Sequence, residues 1–212
     1  MAINPDVIAR TALTLLTETG LDGLTMRLLA DRLGVRAPTL YWHVRSKQHL
    51  LDAMAAVMFA EATADLAPPP PGQDWADWLG DGARRLRSEL LRYRDGARVF
   101  AGTNLAGPDL PRAMELALGV MTRAGLALPD ALRSFATLLH YTVGATIEQQ
   151  ARTGADYDGD DPYDPARLLP RFDPERYPLA AEAAREVFLR NDADRDFEHG
   201  LQLFLRGLRP DR

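Results

Sequence analysis

Cysteine is absent from this 212-residue chain, and serine is scarce. Without a thiol the chain cannot form disulfides, use cysteine as a nucleophile or bind a metal through thiolates. The three serines, Ser46, Ser88 and Ser134, lie outside any G-x-S-x-G sequence, which argues against a serine hydrolase. No apolar run approaches the roughly 20 residues that span a bilayer, and polar residues interrupt the N-terminal segment where a signal peptide would be apolar. These absences predict a cytoplasmic protein.

The sequence patterns of common enzyme, nucleotide and metal sites are missing as well. The four histidines are too dispersed for an H-E-x-x-H zinc site, and the glycines form neither G-x-G-x-x-G nor a P-loop. Acidic runs that begin at Asp156 and Asp192 lack the glycine and the glutamate that an EF-hand calcium loop needs. We therefore expect no enzymatic activity, no cofactor and no metal site.

Leucine, alanine and arginine dominate the composition while β-branched residues are sparse, which favours helices over strands. Hydrophobic residues make up 46% of the chain and allow a sizeable core. We find no alternating strand pattern, so the predicted fold class is all-α. Apolar periodicity and helix stop signals predict nine helices. They cover residues 5–20, 26–33, 38–44, 47–66, 75–93, 109–124, 129–152, 179–190 and 195–208.

Two segments interrupt the helical pattern. Residues 67–72, APPPPG, contain four prolines and predict a stiff extended spacer. Residues 155–178 contain seven acids and five prolines and predict a long exposed loop. The net charge also differs between the two parts of the chain, since the first 50 residues carry +2 and the remainder −7. We expect a small N-terminal module, residues 1–46, a connecting helix, 47–66, and a larger helical body, 67–212.

The first three predicted helices form a helix-turn-helix pattern, because a short turn containing glycine separates the second helix from the third. Leu40 and Val44 are one helical turn apart and are predicted to face the core. Thr39, Tyr41 and Trp42 then point elsewhere, where their hydroxyl groups and rings could contact DNA. The alternative is that both aromatics are buried, but adjacent helix positions cannot share one narrow core face.

The segment GLTMRLLADRLGVRAPTLYWHVRSKQHLLDAM, residues 23–54, resembles the DNA-binding domain of the TetR family, and PTLYWHV and LLDA are most similar to the tetracycline repressors. Weaker similarity through residues 93–103, 125–150 and 197–208 extends over most of the chain. The resemblance implies a homodimer that binds palindromic double-stranded operator DNA and releases it when a small-molecule effector enters a C-terminal ligand-binding and dimerisation domain. The DNA contacts that it implies are Thr25, Arg27, Arg36, Ala37, Pro38, Thr39, Tyr41, Trp42, His43 and Lys47.

Two of these positions carry a specific expectation. Tetracycline repressors usually have a longer polar side chain at the position of Ala37, so the base preference there should differ. Lys47 follows Ser46, which is placed to cap the fourth helix. A cation at a helix N-terminus is unfavourable by itself but is compatible with a bound phosphate.

The predicted effector site departs more strongly from the tetracycline repressors, which bind a drug–Mg²⁺ chelate. The resemblance places their metal-binding histidine at Phe100, whose side chain cannot coordinate a metal. Thr103 and Glu148 are retained, but one hydroxyl and one carboxylate make a poor Mg²⁺ site. We therefore predict a metal-free and largely hydrophobic effector. His140 is predicted either to contact this effector or to be buried in the core. The candidate effector contacts are Thr63, Gly82, Leu86, Phe100, Thr103, Asn104, His140 and Glu148.

The resemblance also implies that helices 129–152 and 195–208 pair with those of a second copy in a four-helix interface. Their apolar positions fit that role, and they fit an ordinary core within one subunit equally well. These positions are Leu132, Phe135, Leu138, Leu139, Phe197, Leu201, Phe204, Leu205 and Leu208. Two other functions stay open: a helical small-molecule-binding protein or enzyme whose N-terminal motif is only structural, and a DNA-binding protein that has no effector.

Overall fold

The computed structural model describes residues 3–153, 161–190 and 192–209. Within these ranges the chain forms eleven α-helices, one 3₁₀ turn and no strand, so the predicted all-α class is confirmed. The helices are α1 (Pro5–Gly23), α2 (Met26–Leu33), α3 (Ala37–His43), α4 (Lys47–Ala62), α5 (Trp75–Leu91), α6 (Gly96–Phe100), α7 (Asp109–Arg123), α8 (Leu128–Ala151), α9 (Pro165–Leu168), α10 (Pro178–Arg190) and α11 (Ala193–Gly207). None of the helices described is long and apolar enough to cross a membrane.

Side-chain caps fix the starts of the N-terminal helices. Asn4 accepts a hydrogen bond from the Val7 amide at 2.9 Å, and Thr25 accepts one from the Leu28 amide at 3.1 Å. Ser46 likewise accepts from the amide of the third residue of α4, at 3.2 Å. Each bond satisfies an amide that has no partner within its helix. At the end of α2, Gly34 has a φ of 67°, a left-handed conformation that glycine adopts without strain.

The structure corrects the predicted elements in three places. Helix α4 ends at Ala62, before the predicted residue 66: Thr63 leaves the helical conformation, with φ −113° and ψ 9°, and the carbonyls of Thr63 and Leu66 accept hydrogen bonds from Arg112. Helix α6 was not predicted, since five residues are too few to show a helical period. The predicted loop 155–178 contains α9 and a 3₁₀ turn, and its residues 155–160 lie outside the described residues.

Two hydrophobic clusters form the core. The first joins α1–α4 to α5, α6 and α8, and includes Ile8, Leu16, Leu40, Met54, Met58, Leu90 and Phe100. The second lies within the body among α5, α7, α8 and α11, and includes Leu79, Met121, Leu138, Phe197 and Leu201. Because α4 packs against both α1 and α5, it connects the N-terminal helices to the body.

The apolar residues of α8 and α11 serve two different surfaces. Leu138 on α8 and Phe197, Leu201 and Leu205 on α11 are buried within the chain, so for them the alternative of an ordinary core is the correct one. Leu132 is exposed, as is Leu203, which the sequence patterns did not indicate. The two helices therefore retain apolar side chains on their outer faces, where a second copy can pack.

Candidate nucleic-acid interface and ligand cavity

Helix α3 is attached to the core through one face and presents aromatic side chains on another. Leu40 is fully buried and Val44 is 3% exposed, which confirms their predicted orientation. Tyr41 is 46% exposed and Trp42 is 85% exposed. An indole that exposed contributes almost nothing to the core, so the alternative that both aromatics are buried is wrong.

Most of the other predicted DNA contacts are exposed too, namely Thr25, Arg27, Arg36, Pro38, Thr39, His43 and Lys47. Ala37 is an exception, because its methyl group is half-buried against the first hydrophobic cluster. Thr25 uses its hydroxyl oxygen as the cap of α2, but a hydroxyl also carries a proton that it can donate. Capping and a phosphate contact by Thr25 are therefore compatible.

The cations of the N-terminal module fall into two groups. Arg10 pairs with Asp6 and Glu61, and Arg32 forms a two-point ion pair with Glu18 at 2.5 and 2.9 Å. Arg27 and Arg36, by contrast, form no ion pair with any part of the chain that the structure describes. Arg45, which was not predicted to contact DNA, is likewise without an ion pair to the described residues, so the predicted cations are among those whose charge is available to phosphates.

Lys47 is the only lysine in the sequence. Its ammonium group lies 3.4 Å from the carbonyl oxygen of Leu21, near the end of α1, and it forms no ion pair with the described residues. The chain therefore places its one lysine side chain at the start of α4, directly after α3.

Polar contacts also hold α1 and α4 to the body. One oxygen of the buried Asp95 carboxylate accepts from the Leu21 amide at 2.8 Å, and the other accepts from Arg98 at 3.0 Å. On α4, Glu61 accepts hydrogen bonds from Arg10 of α1 and from Arg92 at the end of α5. The hydrogen bond from Arg10 is the main reason that the pKa of Glu61 is lowered.

A cavity of about 80 Å³ lies among α4, α5, α7 and α8. Three of the predicted effector contacts, Thr63, Gly82 and Leu86, are part of its wall. The wall is mostly apolar, and the remaining residues that line it are Phe59, Ala62, Leu66, Trp78, Leu79, Ala83, Arg85, Ala113, Ala117, Phe135, Leu138, Leu139 and Thr142.

The other predicted effector contacts lie away from this wall. Phe100 is buried behind it, with its ring centroid 6.2 Å from that of Phe59. The Thr103 hydroxyl donates to the Phe100 carbonyl at 2.7 Å, and the backbone N–H of Asn104 donates to the Asp52 carboxylate at 3.0 Å. These residues therefore support the end of α6 and the turn that follows it.

His140 and Glu148 are exposed on α8, so His140 is neither a cavity residue nor the buried core histidine that was the alternative. The cavity face of α8 consists of Phe135, Leu138, Leu139 and Thr142, which follow one helical stripe. Two residues along a helix correspond to more than half a turn, so His140 lies away from the face that carries Thr142. That stripe was the signal in the sequence that could have identified Thr142.

The wall of the cavity does not fit a drug–Mg²⁺ chelate. None of the described residues that line it carries a carboxylate or an imidazole. Among the described residues of the wall, the only side-chain oxygens are the hydroxyl groups of Thr63 and Thr142, which donate to the Phe59 and Leu138 carbonyls at 2.8 Å. Mg²⁺ requires several oxygen ligands in near-octahedral geometry, and this wall does not provide them.

Arg112 on α7 connects the cavity to the end of α4, and no sequence motif indicated it. Its guanidinium group donates to the Thr63 carbonyl at 2.6 Å and to the Leu66 carbonyl at 3.3 Å. Thr63 and Leu66 also line the cavity. A molecule that separates α7 from α4 must therefore disturb these hydrogen bonds.

Comparison with known proteins agrees with this architecture. Residues 8–54 match the family described as bacterial regulatory proteins, tetR family, and residues 67–211 match the tetracyclin repressor-like C-terminal domain. The class D tetracycline repressor protein of Escherichia coli is 41% identical over 207 residues, which cover 97% of this chain and 88% of that protein.

Two solved structures from Streptomyces coelicolor are also similar. A possible TetR family transcriptional regulator superposes with a TM-score of 0.85 at 40% identity, covering 97% of this chain and 98% of the other. ActR in complex with actinorhodin superposes with a TM-score of 0.81 at 30% identity, covering 98% and 96%. Sequence, fold and domain order agree, and the chain belongs to the TetR family of transcriptional regulators.

Proposed function

We propose that the chain is a ligand-responsive repressor, which binds a palindromic operator as a homodimer and releases it when a small molecule enters the body. Residues 1–46 contact DNA, and residues 67–212 bind the effector and dimerise. Residues 47–66 connect these two parts. The observation that carries the proposal is an α3 helix with an 85% exposed tryptophan, together with nearby cations that pair with none of the described acids. Such a protein acts where its operator is, in the cytoplasm, and is not an enzyme.

The proposed DNA contacts are those of the sequence prediction, with Ala37 limited to an apolar contact by its partial burial. Thr39, Tyr41 and Trp42 on α3 contact base edges and the backbone in the major groove. Arg27, Arg36 and Lys47 contact phosphates. In a twofold-symmetric dimer the two α3 helices enter successive major grooves, about 34 Å apart.

We propose that the effector is largely apolar and that it is not a tetracycline–Mg²⁺ chelate. The apolar wall of the cavity and its lack of oxygen ligands support this. ActR, which shares this fold, is described in complex with actinorhodin, so a relative of this chain accommodates a ligand other than tetracycline.

The size of the cavity suggests how binding reaches the DNA. A cavity of about 80 Å³ is smaller than the roughly 150 Å³ that holds one benzene ring. An effector that the body encloses therefore has to separate the helices that form the wall, and α4 is one of them. A ligand that binds better to this separated state shifts the population away from the DNA-binding state. Coupling of about 1–3 kcal/mol would weaken operator binding roughly 5- to 150-fold.

A salt titration of DNA binding tests the proposal. The probe is double-stranded DNA that the wild-type protein selects from a random pool, and its affinity should fall steeply and linearly on a logarithmic scale as salt increases. Lys47→Gln removes one phosphate contact per subunit and should reduce that slope by about 2 per dimer. Arg190→Gln, on the exposed surface of α10, is the matched control and should leave the slope unchanged.

Two outcomes would contradict the proposal. If no duplex is selected and binding is independent of salt, the helix-turn-helix is only structural. If DNA binds but no small apolar molecule ever weakens that binding, the chain is a DNA-binding protein without an effector.

A further inference from the structure

Arg85 on α5 is the only charged residue among the described residues that line the cavity. Its side chain is exposed, and it forms no ion pair or hydrogen bond within the part of the chain that the structure describes. The neighbouring arginines differ in this respect. Arg84 pairs with Asp81 and Glu198, and Arg87 pairs with Asp194. Arg85 thus combines two properties, an unneutralised charge and a position at the edge of an apolar cavity.

The guanidinium group lies close to the wall. A β-carbon placed on Gly82, one turn earlier on α5, would be 3.9 Å from Nη2 of Arg85. Since Gly82 lines the cavity, the charged end of Arg85 lies over the wall and does not simply extend into solvent. The missing side chain at Gly82 leaves room for this position.

Neither acid within helical reach of Arg85, Asp81 or Glu89, forms an ion pair with it. Asp81, one turn before, accepts hydrogen bonds from Arg84 at 2.9 Å and from Gln73 at 2.9 Å. Glu89, one turn after, binds Arg92 at 2.8 Å. A guanidinium group presents a planar fork of donors that matches a carboxylate or a sulfonate, and here that fork is unused.

From this juxtaposition we propose that the effector is an amphipathic organic anion. Its apolar part enters the cavity, and its acidic group pairs with Arg85 at the edge. The inference rests on the proposed function, because it takes this cavity to be the effector site. It adds a charge requirement that an apolar wall alone would not impose.

A pair of fluorescent probes that differ in one acidic group tests this charge requirement. 8-Anilinonaphthalene-1-sulfonate carries a sulfonate, and N-phenyl-1-naphthylamine has the same ring system without it. Both are titrated into the full-length protein, and binding is followed by fluorescence. For the sulfonate probe, Arg85→Gln should weaken binding about five- to tenfold, the effect of losing one charged hydrogen-bonded pair at a partly exposed site. For the neutral probe the same substitution should change affinity less than twofold, and Arg85→Lys, which keeps the charge but not the planar fork, should retain part of the sulfonate affinity.

Two variants that fill the cavity show whether the probes bind there. Ala117→Leu on α7 and Ala62→Leu on α4 place a larger side chain into it from different walls. Each variant that retains a cooperative thermal transition should bind both probes at least tenfold more weakly than the wild type. Two variants are used because overpacking in a core can unfold a single variant.

The outcomes separate the two proposals. If both probes bind in the cavity and Arg85→Gln lowers the affinity for both equally, or for neither, the anion inference is overturned and the proposed function stands. If neither probe binds, or if neither cavity-filling variant changes the affinity for the probes, this cavity is not a ligand site. The proposed effector response then fails together with the inference.

Discussion

Replacing Trp42 with alanine separates a role in DNA binding from a role in stability. Because the side chain is 85% exposed, its removal uncovers almost no buried area. Surface substitutions of this kind change the free energy of unfolding by about 0.5 kcal/mol or less. Leu40→Ala is the matched control, since Leu40 lies two residues away on the same helix and is fully buried. Loss of a buried leucine costs about 2–5 kcal/mol.

The expected loss of DNA affinity follows from the symmetry of the complex. Each contact made by α3 occurs twice when a homodimer binds a palindrome. If each Trp42 contact contributes about 1–1.5 kcal/mol, within the range of one good base or backbone contact, the dimer loses about 2–3 kcal/mol. That corresponds to roughly 30- to 150-fold weaker binding, since 1.4 kcal/mol is a factor of ten.

The assay combines fluorescence anisotropy of the labelled, selected duplex with thermal unfolding of the free protein. Trp42→Ala should weaken DNA binding with a melting temperature within about 2 °C of the wild type, whereas Leu40→Ala should lower it by about 4 °C or more. The reasoning is refuted if Trp42→Ala binds DNA within threefold of the wild type. It is equally refuted if Trp42→Ala lowers the melting temperature as much as Leu40→Ala does.

Three further substitutions test contacts that hold the chain in its DNA-binding form. Thr25→Ala removes the cap of α2 and should cost about 1 kcal/mol in urea unfolding, whereas Thr25→Ser should be nearly neutral; equal losses in both variants would show that the hydroxyl does not cap. Glu61 has a pKa below its ordinary value of 4.5, mainly because it accepts a hydrogen bond from Arg10. Its contribution to stability is therefore present above about pH 4.5 and is lost as the pH falls through the lowered pKa. The stability difference between wild type and Glu61→Gln, measured by urea unfolding at several pH values, should shrink on acidification, and a constant difference would contradict this origin. Arg112→Met removes the side-chain donor of the Leu66 carbonyl and one of the two donors of the Thr63 carbonyl, which also accepts from the Leu66 amide, and should destabilise the protein by about 1–3 kcal/mol in urea unfolding. Arg112→Lys should recover part of that loss, and a methionine variant as stable as the wild type would show that the bonds are dispensable.

The elements that could be predicted from the sequence depend on interactions within one or two helical turns. Ser46 caps α4 as expected, and Asn4 and Thr25 cap α1 and α2 in the same way, because each cap needs only an amide two or three residues away. Leu40 and Val44 are buried as the helical period required. Helix α6 and the short helices after residue 161 were missed because they are shorter than the pattern that would reveal them.

The candidate ligand site was only partly predictable, because its wall comes from four helices that are distant in the sequence. Thr63, Gly82 and Leu86 were identified by resemblance, but His140 faces outward, while Arg85 and Arg112 were identified only in the structure. What the sequence determined by itself is the helical class, the helix starts and the exposed aromatic pair of α3, since these follow from local spacing. Only the tertiary structure decided which side chains surround the cavity and which cations are left without an acid, because both depend on how distant helices pack.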